Sequence, residues 1–143
     1  MRLMKRYPQC FVCGDKNPTG LNVAFYSDED RVVARYTAGP SFEGYKDILH
    51  GGILSSLLDE VMIRAVLDRG IFSLTSEICV KFRKMVKTGD QLFLEGRLTQ
   101  DKGRLLVAQG KITNQRDEVV ATAEGKFFRA TGELQQRLAD NLE

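Results

Sequence analysis

His50-Gly51-Gly52-Ile53-Leu54-Ser55-Ser56-Leu57-Leu58-Asp59-Glu60-Val61-Met62 is the stretch that decides how this chain folds. Two adjacent glycines stand where an apolar run begins. The spacing predicts a helix from Gly51 to Asp68, closed by the cation and glycine of Arg69-Gly70. Backbone N–H groups at a helix start have no partner within the helix, and together they form an anion site. A carboxylate two turns further on, among apolar neighbours, is a group whose basicity burial can shift. Donors for an oxyanion and a carboxylate that attacks or activates water are the parts of an acyl-transfer site.

Asp59 and Glu60 are adjacent, so the helix gives them different surroundings. Glu60 stacks with Ser56, Arg64 and Leu67, and Glu followed four residues later by Arg is the favourable ion-pair order on a solvated face. Asp59 stacks with Ser55, Met62, Ile63 and Val66, with no cation in local reach. Burying a carboxylate without a partner costs several kcal/mol on the order-of-magnitude scale, so Asp59 is the candidate reacting group and Glu60 a structural one. A hidden arginine or a backbone cap is the alternative for Asp59. His50, just before the helix, sits where the helix dipole disfavours an imidazolium, so a neutral ring that orders the loop or polarises a carbonyl is expected. Gly51 and Gly52 either permit a tight turn or leave a substrate carbonyl free access to the N–H groups.

Working outward, residues 1–21 read as an irregular N-terminal segment with turns at Cys13-Gly14-Asp15 and Asn17-Pro18-Thr19-Gly20. Strands are expected at Leu21–Tyr26 and Arg31–Thr37, then near 74–85, 91–99, 104–113 and 118–129, with turn residues between the later ones. Short connections imply antiparallel neighbours in a meander. Ala108, Gly110, Ala121, Ala123 and Gly125 put small side chains on one face, where the long helix can approach a sheet. The expectation is an α+β fold, one domain over residues 1–143, with residues 133–143 a frayed or short helical tail.

Composition narrows the function classes. Net charge is +2 and no Arg/Lys-rich arm is present, which gives no case for nucleic acid. No apolar run approaches the roughly 20 residues that span a bilayer. The first six residues are basic but lack the apolar centre of a secretion signal, so a cytoplasmic location is expected. Three cysteines, Cys10, Cys13 and Cys79, suit a reducing compartment better than a disulfide framework. Zinc wants four ligands, and only the distant Cys79 and His50 could complete a set with Cys10 and Cys13, so no metal is expected.

At the His50-Gly51-Gly52 start with Asp59 in the helix, the chain resembles the hotdog-fold thioesterases of the phenylacetate-degradation and 4-hydroxybenzoyl-CoA branch. Cys10-Phe11-Val12-Cys13-Gly14, Asn17-Pro18 and Gly20-Leu21 resemble a prelude seen in members of that group. The resemblance implies one long central helix wrapped by a curved antiparallel sheet of five to six strands. It also implies homodimers, or dimers of dimers, paired edge to edge, with sites shared between protomers. Carried over, the Gly51 N–H polarises a thioester carbonyl with Gly52 assisting, and Asp59 attacks or activates water. A hydroxyl on the next strand, Thr75 with Ser76 as its competitor, orients the water. No cofactor is implied, coenzyme A being part of the substrate. Two departures stand out: Met85-Val86 replaces a frequent proline, and no Asn or Gln helper precedes the His-Gly-Gly motif.

Lys81, Arg83, Lys84 and Lys87 cluster on one strand and its turn, where they could meet the phosphates of coenzyme A or simply face solvent. Met62, Val66 and Phe72 are candidates for an acyl slot. The alternatives to hydrolysis are a non-catalytic acyl-CoA or lipid-binding module and a hydratase of the same fold. The longer, proline-containing motif expected of the latter is not found.

Overall fold

In the computed structural model, which describes all 143 residues, the glycine-led run forms helix α1, Gly51–Leu67. Seven strands accompany it: β1 (Arg2–Leu3), β2 (Phe25–Asp28), β3 (Arg31–Thr37), β4 (Ser73–Phe82), β5 (Gln91–Asp101), β6 (Leu105–Thr113) and β7 (Val119–Arg129). A second helix, α2 (Gly132–Asp140), lies on the surface and buries no residue. No helix is long and apolar enough to cross a membrane.

All strands join one antiparallel sheet in the order β1-β2-β3-β5-β6-β7-β4. The expectation of five to six strands is corrected to seven, because Arg2–Leu3 pairs with β2 at the edge. The strand expected at Leu21–Tyr26 begins only at Phe25. Leu21 and Val23 are buried, but their N–H groups bond to Phe11 and Val12 carbonyls in the N-terminal segment instead of a ladder. The meander holds for β5, β6 and β7. However, β4 does not pair with β5; it crosses to the far side of β7 and becomes the other edge of the sheet.

The helix lies across the sheet on Leu54, Leu57, Leu58, Val61, Met62, Ala65 and Val66, the i, i+3, i+4 stripe of a core-facing helix. Beneath it a row of residues runs strand to strand: Val32 opposite Gly96, Gly96 opposite Gly110, Gly110 opposite Ala123, Ala123 opposite Val80. A Cβ on Gly96 would stand 2.3 Å from the Val61 carbonyl oxygen, so the helix backbone comes closest here. At Gly110 a Cβ would meet side-chain atoms and no backbone: Leu58 Cδ2 and Met62 Cγ at 3.1 Å each and Val61 Cγ1 at 3.5 Å. The small-residue face expected from the sequence is therefore the helix seat, with Gly96 added as its tightest point.

Candidate active site

Helix α1 starts where the chain leaves an extended His50 (φ −60°, ψ 134°). The His50 ring folds back and its Nδ1 accepts the Gly52 N–H at 2.8 Å. That bond fixes the ring: with Nδ1 accepting, a neutral His50 carries its proton on Nε2. It also spends the Gly52 N–H, so the expected assistance from Gly52 is corrected; its donor is already satisfied by the cap. Gly52 has a packing reason to lack a side chain, since a Cβ would stand 3.0 Å from His50 Nδ1. Gly51 has none. A Cβ there would make ordinary contact with Phe82 at 3.6 Å, and the Gly51 N–H bonds to no group in the chain.

Gly51 lines a cleft of about 710 Å³, formed by the Gly44–Leu49 loop, the helix start and residues 82–86. Tyr45, Phe82 and Met85 form its exposed apolar lip. Sequence alternation places Phe82 on a buried face, yet it is 55% exposed because β4 is an edge. Arg83 and Lys84 line the same cleft. Lys84 is ion-paired with Glu118, whereas Arg83 has no acidic partner. Lys81 lies instead in a hollow on the sheet's outer face, beside Arg97 and Lys111.

Asp59 projects from α1 toward β4, and Thr75 Oγ1 donates to its Oδ1 at 2.8 Å. The register of β4 against β7 slips between Thr75 and Glu77, leaving Ser76 as the extra residue of a bulge. Bulges re-aim neighbouring side chains, and here the bulge lies directly after the residue that reaches Asp59. Thr75, not Ser76, is the hydroxyl in contact. Asp59 belongs to none of the chain's ion pairs. Burial pushes its carboxyl above the usual range and the Glu60 charge adds to this, while the Thr75 hydrogen bond acts the other way.

Met62 and Val66, expected at an acyl slot, are corrected: both are fully buried in the core against the sheet. Helix periodicity could not separate the sheet-facing stripe from the face beside Asp59. Phe72 is half-buried and lines a small cavity with Ile63 and Leu67.

The Glu60–Arg64 pair also differs from its expected solvated setting. Arg64 is 2% exposed; its Nε donates to Glu60 at 3.0 Å, and its other nitrogens bond to the Lys5 carbonyl and the Cys13 sulfur. Residues 1–21 cover this face of the helix, which a local helix pattern cannot reveal. Cys10, Cys13 and Glu60 place three metal-ligand-type atoms within 4.8 Å of one another, and the positive charge among them is the Arg64 guanidinium. A hydrogen bond with Cys13 lowers the Cys10 thiol from 9.0 to about 7, while Cys13 is raised. In a Cys79→Ser background, alkylation of Cys10 by iodoacetamide should accelerate through pH 7, about two units below an ordinary thiol. A rate that climbs only above pH 8 contradicts this setting.

The chain is 26% identical over 117 residues to the mouse (Mus musculus) acyl-coenzyme A thioesterase THEM5, covering 80% of this chain and 47% of that protein. It thus spans about half the length of that curated relative. The PaaI protein of the E. coli phenylacetic acid degradation operon superposes with a TM-score of 0.73 at 26% identity, over 78% of this chain and 82% of that one. A hypothetical thioesterase of Streptococcus pneumoniae TIGR4, solved with coenzyme A, gives a TM-score of 0.72 at 24% identity, over 76% and 89%. These likenesses identify the helix-on-sheet architecture as a hotdog fold. Residues 46–121, which carry both the glycine start and Asp59, match the thioesterase superfamily, and the chain belongs to that superfamily.

Proposed function

We propose that this protein hydrolyses acyl thioesters of coenzyme A at a site shared between two copies of the chain. The observation that carries the reading is the Asp59–Thr75 pair: a partly buried carboxylate with no cation, its basicity raised by burial, oriented by one hydroxyl. The coenzyme A bound to the Streptococcus pneumoniae protein supports the ligand class. Two further structures of that protein carry alanine at a threonine and at an aspartate sixteen positions apart, the spacing of Thr75 and Asp59 here.

Helix geometry argues for the second copy. Gly51 and Asp59 are eight residues apart on one helix, about 12 Å along its axis. Reacting groups must meet one carbon within about 3–3.5 Å. One chain's Gly51 and Asp59 cannot both do so. Strand β4, which carries Thr75, is a free sheet edge, with Leu74, Phe82 and the neighbouring Phe128 exposed. Pairing β4 with its symmetry mate would cover these groups and bring one protomer's helix start toward the other's Asp59.

In this arrangement the thioester carbonyl oxygen accepts the unspent Gly51 N–H of one protomer, which stabilises the charge that develops there. Asp59 of the other either deprotonates a water that adds to the carbonyl carbon, giving the free acid, or adds to that carbon itself. The second route gives a mixed anhydride that a water then cleaves to the free acid and Asp59. In both routes the C–S bond breaks and coenzyme A leaves as thiolate. Arg83 at the cleft supplies an unpaired cation for a phosphate, with Lys84 beside it. A hydratase reading needs a histidine base. His50 instead uses Nδ1 as a cap and presents only an Nε2 proton, which favours the hydrolase.

Gly51→Pro tests the oxyanion role with little disturbance to the fold. Proline is favoured at the first helical position, and the extended His50 before it is compatible with a following proline. The substitution deletes the N–H itself. Thiol release from acyl-CoA should fall about a hundred- to a thousand-fold with the melting temperature maintained. Full activity in a folded Gly51→Pro protein removes that donor from the mechanism.

A further inference from the structure

Cys10 and Cys13 stand three positions apart in one tight turn, closed by the Gly14 N–H on the Cys10 carbonyl at 2.9 Å. Gly14 has no room for a side chain, since a Cβ would stand 2.4 Å from the Pro8 carbonyl oxygen. The middle of the turn is fixed as well: the Leu21 and Val23 N–H groups bond to the Phe11 and Val12 carbonyls. The two sulfurs lie within 4.8 Å of each other, and the Cys13 N–H donates to Cys10 Sγ at 3.5 Å. A disulfide needs Cα atoms about 4.4–6.8 Å apart, a spacing that a single turn provides, so side-chain rotation can close the gap. The two thiols differ in access. Cys10 is half-buried and lines a hollow of about 260 Å³ beside Ile63 and Leu138. Cys13 is 1% exposed, with Arg64 Nη2 donating to its sulfur at 2.6 Å. An oxidant from solution therefore reaches Cys10 first.

We propose that Cys10 and Cys13 are a redox-active dithiol that a hydroperoxide converts to a disulfide, with Cys10 the attacking sulfur and Cys13 the resolving one. The Cys10 thiolate attacks one peroxide oxygen and the O–O bond breaks. Cys10 becomes a sulfenic acid, and the departing oxygen takes a proton from solvent to leave as water or an alcohol. The Cys13 sulfur then attacks the Cys10 sulfur. The S–O bond breaks, and the departing hydroxide leaves as water with the Cys13 proton. In sum the two thiols lose two electrons and two protons, and the peroxide is reduced. A small dithiol such as dithiothreitol reopens the bond by exchange.

The local charges suit each step. Lowered to about 7, Cys10 is roughly half thiolate at neutral pH. Its hydrogen bond to Cys10 and burial hold the Cys13 thiol up, so Cys13 keeps its proton at first. Once Cys10 is an uncharged sulfenic acid that hold is lost, and the Arg64 guanidinium draws the Cys13 thiol down. Closing the disulfide leaves the buried Arg64 N–H facing a sulfur without charge, a weaker acceptor. Arg64 also holds the segment through the Lys5 carbonyl, so oxidation loosens residues 4–13 where they cover α1. Neither sulfur bonds to Asp59 or Thr75, and the step needs no acyl thioester.

The test exposes the wild-type protein at pH 7 to hydrogen peroxide in slight excess, blocks free thiols with iodoacetamide and reads tryptic peptides by mass spectrometry. Residues 7–16 form one such peptide and carry both cysteines; residues 70–81 form another and carry Cys79. The first should appear unlabelled and two hydrogens short, at least tenfold faster than the exposed Cys79 is oxidised, and dithiothreitol should restore it. Cys13→Ser should halt at the sulfenic acid, which dimedone traps on Cys10, and Cys10→Ser should leave Cys13 reduced. The wild-type reading needs no variant, so it decides even if Cys13→Ser fails to fold. Oxidised protein should exchange the amides of residues 4–13 at least tenfold faster than reduced protein. Cys10 oxidised no faster than Cys79, or sulfinic acid accumulating without a disulfide, overturns the dithiol. A folded Cys13→Ser without sulfenic acid, or Cys13 oxidised as fast in Cys10→Ser, overturns the roles of the two sulfurs. Unchanged amide exchange overturns the release of the segment.

Discussion

Replacing Asp59 by asparagine is expected to lower kcat for acyl-CoA hydrolysis about a hundred- to ten-thousand-fold, the range for loss of a positioned acid–base group, and to raise the melting temperature at neutral pH. Asparagine keeps the shape and an oxygen that can accept the Thr75 hydroxyl, so geometry survives while the reacting charge is lost. The stability gain follows from the direction of the pKa shift. Burial raises the folded-state carboxyl above its usual value of 3.8. Above the raised value the native state carries a poorly solvated charge that the unfolded chain solvates freely, and folding is weakened there. Below 3.8 the carboxyl is protonated in both states and the penalty is absent. The difference in melting temperature between Asp59→Asn and the wild type should be present at pH 7 and vanish toward pH 3. Wild-type activity, which needs the ionised form, should fall with acid at a pH above the ordinary carboxylate range. An Asp59→Asn protein that is active, or less stable than wild type at pH 7, contradicts the assignment.

The largest effect on stability is expected at Gly96. Gly96→Ala places a methyl group 2.3 Å from the Val61 carbonyl oxygen, and that obstacle is helix backbone. Relief requires α1 to lift from the sheet along its whole contact, loosening Val61, Met62 and Leu58, which are fully buried. Overpacking costs about 1–3 kcal/mol where side chains can give way, and against backbone the cost should reach at least about 3 kcal/mol. Gly110→Ala is the matched control. It is the cross-strand partner of Gly96, but its neighbours are side-chain atoms at 3.1 Å or more and not backbone, and its cost should stay at about 1 kcal/mol. Urea unfolding of the two variants measures the contrast directly. Equal stabilities would show that the helix seat is softer than the geometry implies.

What was readable in the sequence was mostly local. Gly51 to Leu67 reads as a helix because its apolar positions recur at the helical period and a glycine follows its end. Strands β5 to β7 read as a meander because turn residues such as Gly103 and Asp117, both at positive φ, punctuate alternating runs. Asp59 was legible as the unusual carboxylate because no cation falls within one turn of it, and Thr75 meets it in the structure. Long-range choices were not legible. Nothing near Ile78 says that β4 crosses to β7, and this crossing makes Phe82 an exposed edge residue instead of a buried one. The burial of Arg64 depends on residues 1–21 folding over it, contacts more than fifty positions distant. The spent Gly52 N–H depends on one histidine rotamer. Gly96 hides within a run that otherwise reads as an ordinary alternating strand, where an interior glycine was itself the available signal.

Mixing two inactive proteins tests most directly the claim that one chain supplies the oxyanion donor and another the carboxylate. Gly51→Pro retains Asp59, and Asp59→Asn retains the Gly51 N–H. Co-unfolded and refolded together in equal amounts, they should form heterodimers in which one of the two sites is intact. Thiol release from acyl-CoA should then return to about a quarter of the wild-type rate, since half the dimers are mixed and each holds one good site. If the refolded mixture is verified as mixed dimers and remains as inactive as its parents, the shared site is wrong.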